Sequence, residues 1–191
     1  MKIGVLALQG GFAEHVAALG KLGVENFLIR KMSDLDNGID ALILPGGEST
    51  VIGKLLHETG LFYPIKHLID SGLPVFGTCA GMILLSGGIE NEDEVYFGSI
   101  PIRVKRNAFG RQLGSFQTIG FFADIGEIPM TFIRAPVISK TSEGVIVLAT
   151  VKGQAVAAEW KNILVTAFHP ELTADCRFLS YFLKKLDCHS V

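Results

Sequence analysis

The chain has 191 residues, of which 49% are apolar and 19% charged, and its formal charge at neutral pH is −2. This composition excludes a disordered chain and supplies a buried core, while the small net charge provides no general attraction to nucleic acid or anionic membranes. An odd number of cysteines, 3, with no secretory signal, favours a reducing cytoplasm.

Short apolar runs alternate with helical patterns through the first half of the chain. Strands are predicted at residues 3–8, 24–29, 41–44 and 73–76. Helices are predicted with Phe12, Val16 and Leu19 on one face, from Ser49 or Thr50 to a stop at Gly60, and from Met82. Residues 71–89 are uncharged, but Pro74 and several glycines predict strand, turn and helix there instead of a membrane span.

The second half has a different pattern, with strands separated by short turns. Strands are predicted at residues 100–106, 115–122, 132–138, 145–150, 155–160 and 163–168, with hairpin turns at 151–154 and 161–162. A closing helix from Thr173 has one apolar side, formed by Phe178, Leu179, Phe182, Leu183 and Leu186. Cys176 and Cys188 on that helix would lie about 18 Å apart, too far for a disulfide.

No linker, repeat or low-complexity segment divides the chain. The sequence therefore predicts one α/β domain over residues 1–191. Its central sheet is expected to be mixed and mostly parallel, flanked by helices, with antiparallel strands in the second half.

The sharpest chemical signal is Gly77-Thr78-Cys79-Ala80-Gly81, placed where a strand stops and a helix begins. This is the nucleophile-elbow pattern with cysteine in the position of serine. A free thiol is mostly protonated at neutral pH, so Cys79 needs a base as partner. A buried structural cysteine in a glycine-rich turn is the alternative.

The base is predicted at His169-Pro170-Glu171, directly after the last apolar strand. In an extended segment, side chains two positions apart point the same way, so His169 and Glu171 are expected to meet. Glutamate would then hold the imidazole in one tautomer and stabilise its cation. The other histidines are expected on the surface: His15, His57, His67 and His189.

A second glycine-rich turn, Pro45-Gly46-Gly47-Glu48-Ser49-Thr50, also follows a strand. Its backbone N–H groups are expected to stabilise an oxyanion. The candidates for that oxyanion hole are Gly10, Gly46, Gly47 and Ala80. The turn matches neither the dinucleotide nor the Walker pattern, so it is not expected to bind a nucleotide. No cofactor and no metal are expected for this chain. Arg103, Lys105, Arg106 and Arg111 would suit phosphate, but alternating charges on a strand favour a solvated face.

These motifs resemble the class I (triad) glutamine amidotransferases, and within them the glutaminase subunit of pyridoxal 5′-phosphate synthase, the PdxT or SNO family. The resemblance covers nearly the whole chain, through the segments 4–10, 44–50, 76–82, 106–112, 132–136 and 167–173. The strings Arg-Asn-Ala-Phe-Gly-Arg-Gln and Phe-Ile-Arg-Ala-Pro are its most specific parts.

The resemblance implies a flavodoxin-like fold and a Cys79–His169–Glu171 triad that hydrolyses L-glutamine. It implies that glutamine is contacted by Gly47, Glu48, Ser49, Arg106, Ile133 and Arg134. It also implies a synthase partner of the PdxS or SNZ type in a large hetero-oligomer, which receives the ammonia.

Two other interpretations remain open at this point. Cysteine hydrolases of the DJ-1/PfpI type share the elbow, but they carry histidine directly after the cysteine, where this chain has Ala80. A non-catalytic regulatory subunit would be expected to have a damaged triad, whereas all three residue types are present here.

Overall fold

The structure is a computed structural model that describes residues 1–109 and 114–188. Residues 110–112 of the segment 106–112, which include Arg111, and His189 lie outside the described residues.

Twelve strands of the described residues form one sheet. They are β1 Lys2–Leu6, β2 Glu25–Ile29, β3 Ala41–Leu44, β4 Val75–Thr78, β5 Ser86–Ile89, β6 Ile100–Lys105, β7 Ser115–Phe122, β8 Gly126–Ile133, β9 Val137–Thr141, β10 Ile146–Val151, β11 Gln154–Trp160 and β12 Ile163–Thr166. The helices are α1 Phe12–Lys21, α2 Ser49–Glu58, α3 Phe62–Asp70, α4 Ala80–Leu85 and α5 Arg177–Cys188, with 3₁₀ turns at Met32–Asn37 and Pro170–Leu172.

The sheet is mixed, as the sequence predicts. Its main path runs β2-β1-β3-β4-β12-β11-β10-β7-β8. Neighbours from β2 to β12 pair in parallel, and those from β12 to β8 pair antiparallel. A branch of β5, β6 and β9 joins the sheet through β11. The parallel part therefore comes from the first half of the chain together with β12.

The central strands β3, β4 and β12 are short, and every residue in them is buried. That pattern is expected for strands covered on both faces, which explains why they appear in the sequence as continuous apolar runs. On one face, α5 packs Phe178 and Phe182 against Phe76 of β4, with ring centroids 5.1 and 5.7 Å apart. The strand that leads to Cys79 is therefore held in an aromatic core.

Four features differ from the sequence-based expectation. Helix α3 and strand β5 were not predicted. The strand expected at 132–138 is two strands, β8 and β9, separated by a turn in which Arg134 has a φ of +43°. The closing helix begins at Arg177 and not at Thr173, because a 3₁₀ turn at Pro170–Leu172 comes first.

None of the helices within residues 1–109 and 114–188 is long and apolar enough to cross a membrane.

Candidate active site

Parallel pairing of β4 with β12 brings two predicted site residues to the same edge of the sheet. Thr78 and Thr166 are in register at the carboxyl ends of the two strands. Cys79 directly follows β4, and its N–H donates to the Thr166 carbonyl at 2.7 Å. His169 follows β12, and its N–H donates to the Thr131 carbonyl on β8 at 2.8 Å. Both backbones are therefore anchored to strands.

Cys79 has the strand–turn–helix geometry of a nucleophile elbow. It lies between β4 and α4 with a φ of +50°, a conformation that a non-glycine residue adopts only under strain. A side chain at Gly81 would overlap the Leu44 carbonyl, and one at Gly77 would crowd Leu85 and the Gly81 backbone. The two glycines are thus required by close packing of the turn against β3 and α4.

His169 and Glu171 meet as predicted, although not for the predicted reason. His169 Nδ1 lies 2.7 Å from Glu171 Oε1, and both side chains are buried. The segment is not extended, because a 3₁₀ turn begins at Pro170. This turn brings the Glu171 carboxylate to Nδ1 of the His169 ring. Since Nδ1 is occupied by Glu171, Nε2 is the ring nitrogen available to Cys79.

The electrostatics of this cluster favour a charged histidine. Burial lowers the pKa of His169, but hydrogen bonds with Cys79 and Glu171 and the charges of both groups outweigh it and raise the pKa to about 10. Burial alone would raise the pKa of Glu171, but nearby His15 and the hydrogen bond with His169 hold it below its ordinary value. At neutral pH the arrangement is an imidazolium beside a carboxylate.

The expectation that His15 lies on the surface is wrong. His15 is fully buried on α1, with Nε2 3.5 Å from Glu171 Oε1 and 3.4 Å from Thr78 Oγ1. Its position on the buried face of α1, one turn before Leu19, is the sequence signal that identifies it. His57 and His67 are exposed, as expected.

The Pro45-Gly46-Gly47 turn packs against both the histidine and the loop after β1. A side chain at Gly46 would overlap the imidazole of His169. The Gly46 carbonyl accepts a hydrogen bond from Gly11 N–H at 2.9 Å, and Gln9 Oε1 accepts one from Glu48 N–H at 2.8 Å. The orientation of the peptides in this turn therefore depends on residues 9–11.

The triad residues and the glycine-rich turn line an open cleft of about 700 Å³. The six residues predicted to contact glutamine line it: Gly47, Glu48, Ser49, Arg106, Ile133 and Arg134. Gly10, Gly46, Cys79, His169 and Glu171 line it as well. Ala80, the remaining oxyanion candidate, directly follows Cys79 as the first residue of α4. The structure thus brings the predicted site residues together at one edge of the sheet.

Two arginines reach the cleft from different directions. Arg106 is largely buried, with Nη1 2.5 Å from Ser49 Oγ and Nε 2.8 Å from Glu92 Oε1. Arg134 is 71% exposed, and its only described ion pair is with Glu48 at 3.7 Å. Arg106 is therefore the better ordered of the two cations.

Comparison with known proteins agrees with this geometry. The family described as the SNO glutamine amidotransferase family matches residues 5–188. A Streptococcus pneumoniae protein named pyridoxal 5′-phosphate synthase subunit PdxT is 54% identical over 186 residues, covering 96% of each chain. The chain belongs to the SNO glutamine amidotransferase family.

Solved structures give the same result for the fold of this SNO family member. A crystal structure described as a glutamine amidotransferase matches with a TM-score of 0.91 at 43% identity, over 97% of this chain and 98% of the other. The structure of PurLQS from Thermotoga maritima matches with a TM-score of 0.71 at 16% identity, over 97% of this chain and 98% of the other, and so indicates the fold alone. The predicted class I glutamine amidotransferase fold is confirmed.

Membership of the SNO family decides against the DJ-1/PfpI-type alternative. The phosphate interpretation of the basic cluster also loses support, because Arg103 and Lys105 lie on the exposed face of β6 whereas Arg106 turns into the cleft. Described cations of the cluster therefore do not converge on one site.

Several cleft residues of this SNO family member were missed in the sequence. Gln9, Glu92 and Asn107 line the cleft, and Asn107 has a φ of +49°. The carbonyl of Ile133, directly before the strained Arg134, lies 3.9 Å from Cys79 Sγ. Strained positions gather at functional sites because the surrounding fold must hold them in place. Asparagine is enriched at positive φ, so Asn107 carries a weak sequence signal, whereas arginine at position 134 carries none.

Proposed function

We propose that this chain hydrolyses L-glutamine to L-glutamate and ammonia with a Cys79–His169–Glu171 triad, as the glutaminase subunit of a pyridoxal 5′-phosphate synthase. The observation that carries this proposal is the 2.7 Å contact between His169 Nδ1 and Glu171 Oε1, next to a cysteine at a strand–helix elbow. Family membership supports glutamine as substrate, and the PdxT relatives support the assembly.

In the proposed reaction, the sulfur of Cys79 attacks the side-chain amide carbon of glutamine. The C–N bond breaks as His169 donates its proton to the departing nitrogen, and ammonia leaves. Water, deprotonated by His169, then hydrolyses the thioester and releases glutamate. Glu171 holds the imidazolium in place through both steps. The raised pKa of His169 suits this role, because the proton required by the leaving group is present at neutral pH.

The other end of glutamine carries an α-carboxylate and an α-ammonium group. We assign the carboxylate to Arg106 and Arg134, because a guanidinium binds carboxylate through two parallel hydrogen bonds. Glu48 then faces the ammonium group from the same rim of the cleft. Gly47, Ser49 and the Ile133 backbone complete the contacts.

Replacing Arg106 with alanine is expected to raise the KM for glutamine roughly ten- to a hundredfold with little change in kcat. The α-carboxylate is distant from the reacting amide, and losing a charge-assisted hydrogen bond costs about 1.5–3 kcal/mol. Arg134→Ala is expected to have a smaller effect, because that side chain is more exposed. Steady-state kinetics separate KM from kcat.

Arg103→Ala is the matched control, since Arg103 is exposed on β6, the strand that leads to Arg106, and does not line the cleft. It should leave both constants unchanged. A kcat defect in Arg106→Ala with an unaltered KM would show that this arginine orders the reacting groups and does not bind the carboxylate.

We further propose that the partner is a synthase subunit of the PdxS or SNZ type in a large hetero-oligomer, and that it docks over the cleft. Ammonia can then pass to the partner without escaping into water. Two apolar side chains at the cleft, Ile133 and Leu172, are 38% and 42% exposed. Covering such side chains favours association.

Docking is also expected to switch on hydrolysis. The Gly46–Gly47 peptide is held by contacts with residues 9–11, and its carbonyl faces Gly11 N–H. A partner that displaces residues 9–11 would free this peptide to turn an N–H toward the oxyanion. Glycine permits either orientation at little steric cost. One well-placed donor changes the rate by about 10²- to 10³-fold.

The test is a steady-state assay of glutamate release by the purified chain, titrated with the synthase subunit. Release is expected to be slow without the partner and to rise about a hundredfold or more to saturation. Equal turnover with and without the partner would contradict the switch while leaving the glutaminase assignment intact. No release under either condition would contradict the assignment and favour a non-catalytic regulatory subunit.

A further inference from the structure

His15 is the one buried histidine among the described residues that the proposed reaction does not use. It reaches Glu171 from α1, whereas His169 follows β12, and both rings approach the same oxygen, Oε1. Its Nε2 lies between Glu171 Oε1 at 3.5 Å and Thr78 Oγ1 at 3.4 Å, and its ring packs edge-on against Phe76. Its Nδ1 is buried without a hydrogen-bond partner.

These contacts indicate which tautomer His15 adopts. A proton on Nδ1 would bury an N–H donor with no acceptor, which is costly. Without that proton, Nδ1 buries only a lone pair, and the cost is lower. A proton on Nε2 faces Thr78 Oγ1, the hydrogen-bond partner of this nitrogen, with Glu171 Oε1 also in contact at 3.5 Å. The tautomer with hydrogen on Nε2 is therefore favoured.

His15 is also neutral in this environment. Burial lowers its pKa below the ordinary value, and the attraction of Glu171 does not overcome that effect. The titratable groups that face His15 are Glu171 and His169 from the turn after β12 and Glu14 from its own helix. A neutral donor can hold the Glu171 carboxylate without cancelling the negative charge that His169 requires.

We propose that His15 is a positioning residue for the triad, whose Nε2–H holds Glu171 Oε1 in the orientation that His169 Nδ1 requires. The inference rests on the proposed function of this site and extends the triad by one buried residue.

The need for such a support follows from the contacts of Glu171. Its Oε2 is buried without a hydrogen-bond partner, so Oε1 makes the contacts that the structure describes for this carboxylate. With only His169 on Oε1, the carboxylate could rotate about its side-chain bonds. His15 is the second side chain in contact with Oε1, and its Nε2 also contacts Thr78, the last residue of β4 before Cys79.

Three substitutions at position 15 test the proposal, each of which changes the ring nitrogens of His15 in a different way. His15→Leu removes both ring nitrogens at similar volume. His15→Gln places an amide donor where Nε2 was, beside Glu171. His15→Asn places it where Nδ1 was, on the side that has no partner in the structure.

The first readout is turnover with the synthase subunit bound. His15→Leu and His15→Asn are expected to lower kcat about three- to tenfold with the KM for glutamine within twofold, the size of one weak hydrogen bond. His15→Gln is expected to restore most of that loss. A purely structural role would instead make the three variants follow their thermal stability.

The second readout does not require activity. His169 is titrated by NMR of its ring nitrogens in the free chain, starting from its raised pKa of about 10. A loosely held Glu171 stabilises the imidazolium less, so the pKa of His169 should fall by roughly half to one pH unit in His15→Leu and His15→Asn. His15→Gln should return it toward the parent value.

An unchanged His169 titration in folded His15→Leu would overturn the proposal and leave His15 as a packing residue. If His15→Leu does not fold, the pKa of His169 in His15→Gln is compared with that in His15→Asn. An equal pKa of His169 in these two variants would then overturn the proposal. Should the parent chain lack glutaminase activity while the titration shifts as expected, the proposed function fails but the coupling of His15 to the histidine–glutamate pair stands.

Discussion

Cys79→Ala is expected to reduce glutamate release to background while the chain remains folded. The substitution removes the sulfur proposed to attack the amide, but it deletes this single atom from a residue that lines the cleft and is 8% exposed. Alanine retains the Cβ, so the strained turn at φ +50° is unchanged. The measurement is glutamate release with the synthase subunit present, alongside thermal unfolding. Activity within tenfold of the parent would remove Cys79 as nucleophile.

Cys176→Ala is the matched control for this result. Cys176 is a free, half-buried thiol just before α5 and does not line the cleft, so its loss should leave turnover unchanged. A chloroketone analogue of glutamine is expected to label Cys79 alone. Labelling of Cys176 or Cys188 in place of Cys79 would contradict the assignment.

His169→Asn is expected to be nearly as damaging as loss of the cysteine, and Glu171→Gln somewhat less so. Members of such triads act as a unit, with single losses of about 10⁴- to 10⁶-fold in kcat. Glutamine at 171 keeps the shape of the side chain but removes the charge that helps raise the pKa of His169 to about 10. The remaining activity of Glu171→Gln should therefore decline at a lower pH on the alkaline side, because the imidazolium loses its proton earlier.

The control for these variants is His57→Asn on the exposed surface, which should behave like the parent chain. Full turnover in Glu171→Gln would instead reduce the site to a Cys79–His169 dyad. The pH profile of kcat distinguishes a weakened triad from a variant that has merely lost stability.

The sequence predicts the parts of the site that depend on strand ends. Parallel strands carry their carboxyl ends to one edge, so residues that directly follow β3, β4 and β12 had to converge. That argument places Gly46, Cys79 and His169 together without knowledge of any other contact. The mixed sheet is likewise predicted, because continuous apolar runs and hairpin turns differ in pattern.

The failures have identifiable physical causes. Helix α3 was missed, although its Pro64 stands in the first turn, where proline is tolerated. Strand β8 contains Pro129, which is acceptable because β8 lies at the end of the main strand path. The break at Arg134 depends on packing between segments distant in sequence, which no local pattern records. The burial of His15 could have been predicted, because His15 lies one turn before Leu19 on the buried face of α1.

One part of the cleft wall, formed by Gly10, Gly11, Gly46 and Gly47, is backbone packed on backbone. Gly10, with a φ of +100°, lies so close to the Gly46 carbonyl that it does not tolerate a Cβ. Ordering glycine backbone carries a large loss of conformational entropy, and here that loss occurs when the chain folds. Glutamine then meets a surface with few rotatable side chains left to immobilise, which lowers the entropic cost of binding at this wall. Flexible side chains such as Glu48, Glu92 and Arg134 line other parts of the cleft, where ordering them on binding carries an entropic cost.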